Sequence, residues 1–105
     1  MNGGPKTSSV RMEQVRWWML TIPQSEFMPY LPPGITYCKG QLETAATGFA
    51  HWQLCVSFDR SQRLAAVKKT FGTKAHCEPI RNIEQSLAYV WKVETAIEGT
   101  RFIMI

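Results

Sequence analysis

Three side chains able to donate lone pairs to a cation lie close together in this sequence: the carboxylate of Glu43, the imidazole of His51 and the carboxamide of Gln53. Thr47 and Gly48 between them mark a turn, so Glu43 closes one strand while His51 and Gln53 lie two apart on the next. Residues two apart on a strand point to the same side of the sheet. Phe49, His51, Gln53 and Cys55 therefore share one face, and Trp52, Leu54, Val56 and Phe58 share the other. The second set is half of a core. The first set either carries chemistry or sits in water. Farther along, Tyr89 and Lys92 are three apart on an expected helix, neighbours on one side and away from its apolar stripe. A phenol beside an ammonium is a nucleophile beside a charge that favours its ionised form. Read singly, each group also has an ordinary role: a hydrogen-bonded strand histidine, an exposed hairpin carboxylate, a half-exposed tyrosine with a solvated lysine. His76 need be no more than a strand residue.

The elements that must position these groups are legible from pattern and punctuation. Gln14 to Ile22 is rich in aromatic and β-branched residues and reads as a first strand stopped by Pro23. Gln24 to Pro33 has room for one short helical turn capped by Ser25, before Pro32-Pro33-Gly34 ends it. Ile35 to Glu43 and Phe49 to Phe58 form a hairpin. Asp59 or Ser61 is placed to cap a helix with apolar positions Leu64, Val67 and Phe71 and with Gly72 just past its end. Its outer side carries Arg60, Arg63, Lys68 and Lys69, which as a rule is a solvated face. Lys74 to Arg81 reads as a fourth strand, at a sheet edge because of Pro79. Asn82 caps a second helix from Ile83 to about Thr95, with Ile83, Leu87, Val90 and Trp91 as its buried stripe. Gly99 turns the chain into a last strand, Arg101 to Ile105. This order predicts an α+β fold, an antiparallel β-sheet with flanking helices.

Composition sets the frame. A chain of 105 residues holds one domain; we place a loose leader at 1–12 and the folded unit at 13–105. The apolar share of 45%, with four Trp, excludes a disordered chain. A net charge of +4 points only weakly to a polyanionic partner. Three cysteines without a C-x-x-C spacing argue against a disulfide framework and a zinc knuckle, and fit a reducing compartment. No run approaches a membrane span, so no membrane partner is expected.

Taken together, the residues resemble the three motifs of the replication initiator (Rep) endonuclease domain of circular single-stranded DNA (CRESS-DNA) viruses, in the HUH superfamily. The first motif matches Trp18-Met19-Leu20-Thr21-Ile22-Pro23. The second runs from Gly40-Gln41-Leu42-Glu43 through Gly48-Phe49-Ala50-His51-Trp52-Gln53, in the variant with Gln for the second His. The third is Tyr89-Val90-Trp91-Lys92. The match covers roughly residues 14 to 96, and three motifs in the right order make it specific. It departs at Val93, where an acidic residue is expected, and in the apolar tail Phe102 to Ile105.

The resemblance implies an RRM-like or ferredoxin-like HUH fold. It also implies a divalent ion on Glu43, His51 and Gln53. One imidazole and two oxygen ligands suit Mn²⁺ or Mg²⁺ better than a closed zinc site. Tyr89 would attack the scissile phosphate, assisted by Lys92, leaving a 5′-phosphotyrosine that a 3′-hydroxyl can later reverse. The implied partner is single-stranded DNA at an origin stem-loop, with Arg16, Trp17, Lys39 and the basic helix as candidate contacts by charge and stacking. The full-length protein is expected to continue into a helicase domain, whose Gly-x-x-x-x-Gly-Lys motif does not occur in this sequence. The domain alone is expected to be monomeric and to work in the host nucleus, with the cytoplasm as the alternative. The competing reading is a non-catalytic single-stranded nucleic-acid-binding module.

Overall fold

A computed structural model of the chain describes residues 12–105; nearly all of the expected leader, 1–12, lies outside the described residues. Five strands form one antiparallel sheet: β1 (Val15–Pro23), β2 (Ile35–Thr44), β3 (Ala50–Gln62), β4 (His76–Pro79) and β5 (Phe102–Met104). Their spatial order is β4-β1-β3-β2-β5. A short 3₁₀ turn, Gln24–Glu26, follows β1. Helix α1 (Leu64–Phe71) precedes β4, and helix α2 (Ile83–Tyr89) follows it. This is the expected α+β architecture. No helix among the described residues is long and apolar enough to cross a membrane.

The core lies on one face of the sheet. Trp18, Leu20 and Ile22 of β1, Cys38 and Leu42 of β2, Trp52, Leu54, Val56 and Phe58 of β3 and Cys77 of β4 all point there. Helix α1 covers them with Val67 and Phe71, as its apolar spacing predicts. Burial of this many large side chains at ~25 cal/mol per Å² is what holds the layers together. Trp52 also donates its indole N–H to the Phe27 carbonyl at 3.0 Å, which ties the segment after the 3₁₀ turn across the core.

The other face is reached by the alternate residues, and register brings them into rows. One row is His76, Thr21, Gln53 and Gln41; the next is Glu78, Met19, Cys55 and Lys39; a third is Pro23, His51 and Glu43. Trp17, Ser57 and Tyr37 make a fourth. This face carries the polar chemistry, yet it is not simply wet. β3 is buried continuously from Trp52 to Phe58, so Gln53 and Cys55 sit beneath neighbouring side chains rather than in water.

Several boundaries differ from the sequence reading, each for a tertiary reason. β3 does not stop at Phe58 but continues to Gln62, because Gln62 pairs with Val15 at the start of β1. Asp59 and Ser61 are thereby strand residues, and α1 starts behind Arg63 with no side-chain cap. The 3₁₀ turn likewise has no side-chain cap, so Ser25 does not fill that role. Phe49 lies in the turn, outside β3. Pro23 ends β1 from within, as its last residue. β4 is shorter than expected but does lie at the sheet edge, where Pro79 loses no ladder bond.

The largest difference is α2. It ends at Tyr89, not near Thr95, and contains no buried residue. Of its expected stripe, only Val90 just past the helix is fully buried, while Ile83 is 40% exposed. The following segment is drawn to the edge of β2 instead. Thr44 N–H donates to the Thr95 carbonyl and Ile97 N–H to the Leu42 carbonyl, both at 3.0 Å. Those backbone bonds, together with a Glu43–Ala96 bridge, outcompete continuation of the helix.

A candidate active site on the open sheet face

The hairpin places Glu43 directly across from His51. The loop between them closes with Ala45 N–H on the Phe49 carbonyl at 2.8 Å, and Gly48 takes the positive φ of +87° that the turn requires. Phe49 stacks on the His51 ring with centroids 6.3 Å apart. His51 Nε2 then lies 3.6 Å from Glu43 Oε1. Two ligands each roughly 2.0–2.3 Å from one hard cation can stand that far apart. The donor pair therefore fits a shared ion.

Gln53 enters the same face two residues along β3. Its Nε2 donates to the Leu20 carbonyl at 3.2 Å, and its Oε1 accepts from the Thr21 hydroxyl at 3.1 Å. An amide oxygen has two lone pairs, so one remains after the Thr21 bond. The set of one carboxylate, one imidazole and one amide oxygen has the hardness of an Mn²⁺ or Mg²⁺ site. Among the described residues no three of His, Cys, Asp and Glu gather at one point, and the Gln53 amide is turned toward Leu20 and Thr21 of β1 rather than toward Glu43 or His51.

Glu43 is 2% exposed, and a carboxylate that deep must be compensated. Lys92 supplies the charge, its Nζ 2.7 Å from Glu43 Oε1. The same ammonium lies 4.1 Å from the centre of the Tyr89 ring. Lys92 thus touches both halves of the predicted site, the hairpin carboxylate and the helical phenol. Tyr89 itself is half exposed and lines a cleft of about 440 Å³ together with Met19, Thr21, Gln53 and Ser86. His76 and Glu78 line the far side, joined by a 3.0 Å contact. Arg81 also borders this cleft, but its guanidinium forms a two-pronged pair with Glu13 and is spoken for.

One member of the network escaped the sequence reading. Gln41 is fully buried beside Glu43. Its Nε2 donates to Glu43 Oε2 at 3.0 Å and to the Lys92 carbonyl at 2.6 Å, and its Oε1 accepts from Arg101 Nε at 3.3 Å. Gln41 falls two residues before Glu43, hence on the same face; that parity was the only signal available in the sequence. Trp91, expected as core, lies instead on this face, with its indole N–H on the Gly40 carbonyl at 3.1 Å and Lys39 Nζ 4.2 Å from its ring.

The three candidate nucleic-acid contacts are not all together. Trp17 lies on the open face with its ring 5.6 Å from Tyr37, and Lys39 lies on the same face against Trp91. Arg16 is directed elsewhere, its Nε donating to the Phe58 carbonyl at 3.2 Å.

The domain is thus an α+β fold with one face of its antiparallel sheet committed to the core and the other carrying a carboxylate, an imidazole and a tyrosine. Residues 15–93 match the family model Viral_Rep, putative viral replication protein. The chain belongs to that family and is a Rep-like domain of CRESS-DNA viruses, with a role in viral replication. No curated protein matches it.

Proposed function

We propose that this domain cuts and rejoins single-stranded DNA, with Tyr89 as nucleophile and Glu43, His51 and Gln53 as holders of one divalent ion. The observation that carries this reading is the double contact of Lys92, 2.7 Å from Glu43 and 4.1 Å from the Tyr89 ring centre. It joins the phenol to the carboxylate–imidazole pair although Tyr89 lies 46 positions along the chain from Glu43.

In this reading the DNA strand enters the cleft unpaired, because a phosphate inside a duplex could not reach both the phenol and the sheet. Tyr89 Oη attacks phosphorus, its proton passing to solvent. The P–O3′ bond breaks and the departing oxygen takes up a proton, leaving a 3′-hydroxyl and a 5′-phosphotyrosine. Rejoining is the reverse attack by a 3′-hydroxyl, so the phosphoester is conserved and no nucleotide is consumed. The Lys92 ammonium packs over the Tyr89 ring, 4.1 Å from its centre, and so brings a positive charge beside the attacking group. Glu43, His51 and Gln53 would hold the ion, and Phe49 shields one face of the imidazole. When bound there, a divalent ion supplies polarisation of the phosphoryl oxygens.

The test is incubation with a short single-stranded origin-loop oligonucleotide and Mn²⁺, followed by a denaturing gel. A covalent protein–DNA band is expected from the unaltered domain and from no Tyr89→Phe sample. His51→Ala and excess chelator are expected to remove cleavage. Adduct formed by Tyr89→Phe would end the nucleophile assignment, and undiminished cutting in EDTA would end the metal assignment.

A second reading, a binding module without catalysis, is favoured by the half-buried Trp17 and Tyr37 paired on the open face, since aromatic rings that keep a face accessible stack on bases regardless of sequence. It predicts tight binding without any covalent band, so the same gel separates the two.

A further inference from the structure

The two oxygens of the buried Glu43 carboxylate are used differently. Oε2 is taken by Gln41 at 3.0 Å. Oε1 accepts the Lys92 ammonium at 2.7 Å, and it is this same oxygen that faces His51 Nε2 at 3.6 Å. An ion shared by Glu43 and His51 would have to bind the oxygen that Lys92 already occupies.

We propose that Lys92 is the resident cation of this site, a place-holder that a divalent ion displaces from Glu43 and thereby releases to Tyr89. The proposal rests on the metal-assisted reading above. A carboxylate this deeply buried needs a counter-charge, and Lys92 provides it when no ion does. An ammonium and a divalent ion on one oxygen repel across a few ångströms in surroundings that screen less than water. Only one is held there at a time. Lysine has a flexible four-carbon stem, and its Nζ already lies 4.1 Å from the Tyr89 ring centre. Leaving Glu43 therefore does not take it out of reach of the phenol. Loading the ion and freeing the charge for the nucleophile become one coupled event, with the reciprocity that any coupling between two ligands of one site requires.

The coupling has a counterintuitive sign, which makes it testable without DNA or turnover. Mn²⁺ affinity is measured by calorimetry, or by the electron paramagnetic resonance signal of the free ion, on the unaltered domain and on Lys92→Met, Lys92→Arg, Lys39→Met and His51→Ala. Removing the competitor in Lys92→Met is expected to tighten Mn²⁺ binding about tenfold, while Lys92→Arg stays weak and Lys39→Met, which removes a charge not in contact with Glu43, changes affinity less than about twofold. Should Lys92→Met fail to fold, the unaltered domain labelled with ¹³C at the lysine ε-carbons gives an independent reading. Saturating Mg²⁺ is expected to shift the Lys92 resonance, assigned through Lys92→Arg, as the amine leaves Glu43. Unchanged or weaker Mn²⁺ binding in folded Lys92→Met, or a Lys92 resonance unmoved by Mg²⁺, overturns the proposal. His51→Ala separates the levels. If it abolishes Mn²⁺ binding while Lys92→Met does not tighten it, the place-holder alone fails; if it leaves binding intact, the metal reading fails with it.

Discussion

Gln41 shows how much of a reactive site can rest on a residue that does no chemistry. Its amide nitrogen has two hydrogens, and both are used, one on Glu43 and one on the Lys92 backbone. Substituting Gln41→Met keeps the volume but leaves a buried carboxylate oxygen and a buried carbonyl without donors. We expect a loss of about 2–4 kcal/mol of stability, read as a shift in urea midpoint at constant slope. Gln41→Glu is expected to be worse, because a second carboxylate would face Glu43 in the same buried space. Gly40, next to it, is constrained by space alone. A Cβ there would lie 2.3 Å from the Gln53 carbonyl oxygen and 2.6 Å from Leu54 Cδ2. The first contact is backbone and cannot swing aside, so Gly40→Ala is expected to cost about 3 kcal/mol in the same denaturation experiment and to disturb Gln53. An unchanged urea midpoint for Gly40→Ala would mean that β2 and β3 can separate there without cost.

At the scale of elements, α2 decides where the phenol sits, and it is lightly held. The Asn82 side chain accepts from Gln85 N–H at 2.9 Å, as a good cap should. No residue within Ile83–Tyr89 is buried, and the anchor is Val90 at its C-terminal end. Asn82→Ala should therefore loosen the helix by about 1 kcal/mol, seen as faster amide exchange confined to α2. Amide protection unaltered in that variant would show that packing, not the cap, holds the helix. The strands, α1 and the edge position of β4 were legible from the sequence because alternation, the Leu64–Val67–Phe71 spacing and Pro79 are local signals. The length of α2 was not. Its apolar stripe continues to Trp91, but hydrogen bonds from the β2 edge claim residues 95–97, and a competitor 51 to 55 positions away leaves no mark on a local pattern. The same holds for the site. Parity put His51 and Gln53 on one face, whereas the placement of Lys92 on Glu43 depends on how the segment after α2 meets the hairpin.

For the molecule as a whole, the three thiols set a limit on the alkaline side. Cys38, Cys55 and Cys77 are buried and unpaired. Burial pushes Cys38 and Cys55 up to about 12 and Cys77 to about 11, from an ordinary value of 9.0. Burial likewise raises the Tyr37 phenol. In each case the native state keeps a proton that the unfolded chain gives up first. Stability is then fully present below pH 9 and falls as pH rises from there toward 12, since the unfolded state binds fewer protons than the native one. At pH 10 the three thiols together are expected to cost about 3–4 kcal/mol, a large part of a small domain's margin. Thermal unfolding at pH 8 and pH 10 measures this directly, and a Cys38→Ala, Cys55→Ala, Cys77→Ala variant should lose less stability over that interval than the unaltered chain. Equal losses would take the alkaline limit away from the thiols and leave the half-buried Tyr37 phenol as its source. The same burial predicts that at pH 8 the folded domain reacts with a thiol reagent far more slowly than the urea-unfolded one, with all three groups becoming reactive together when the sheet opens.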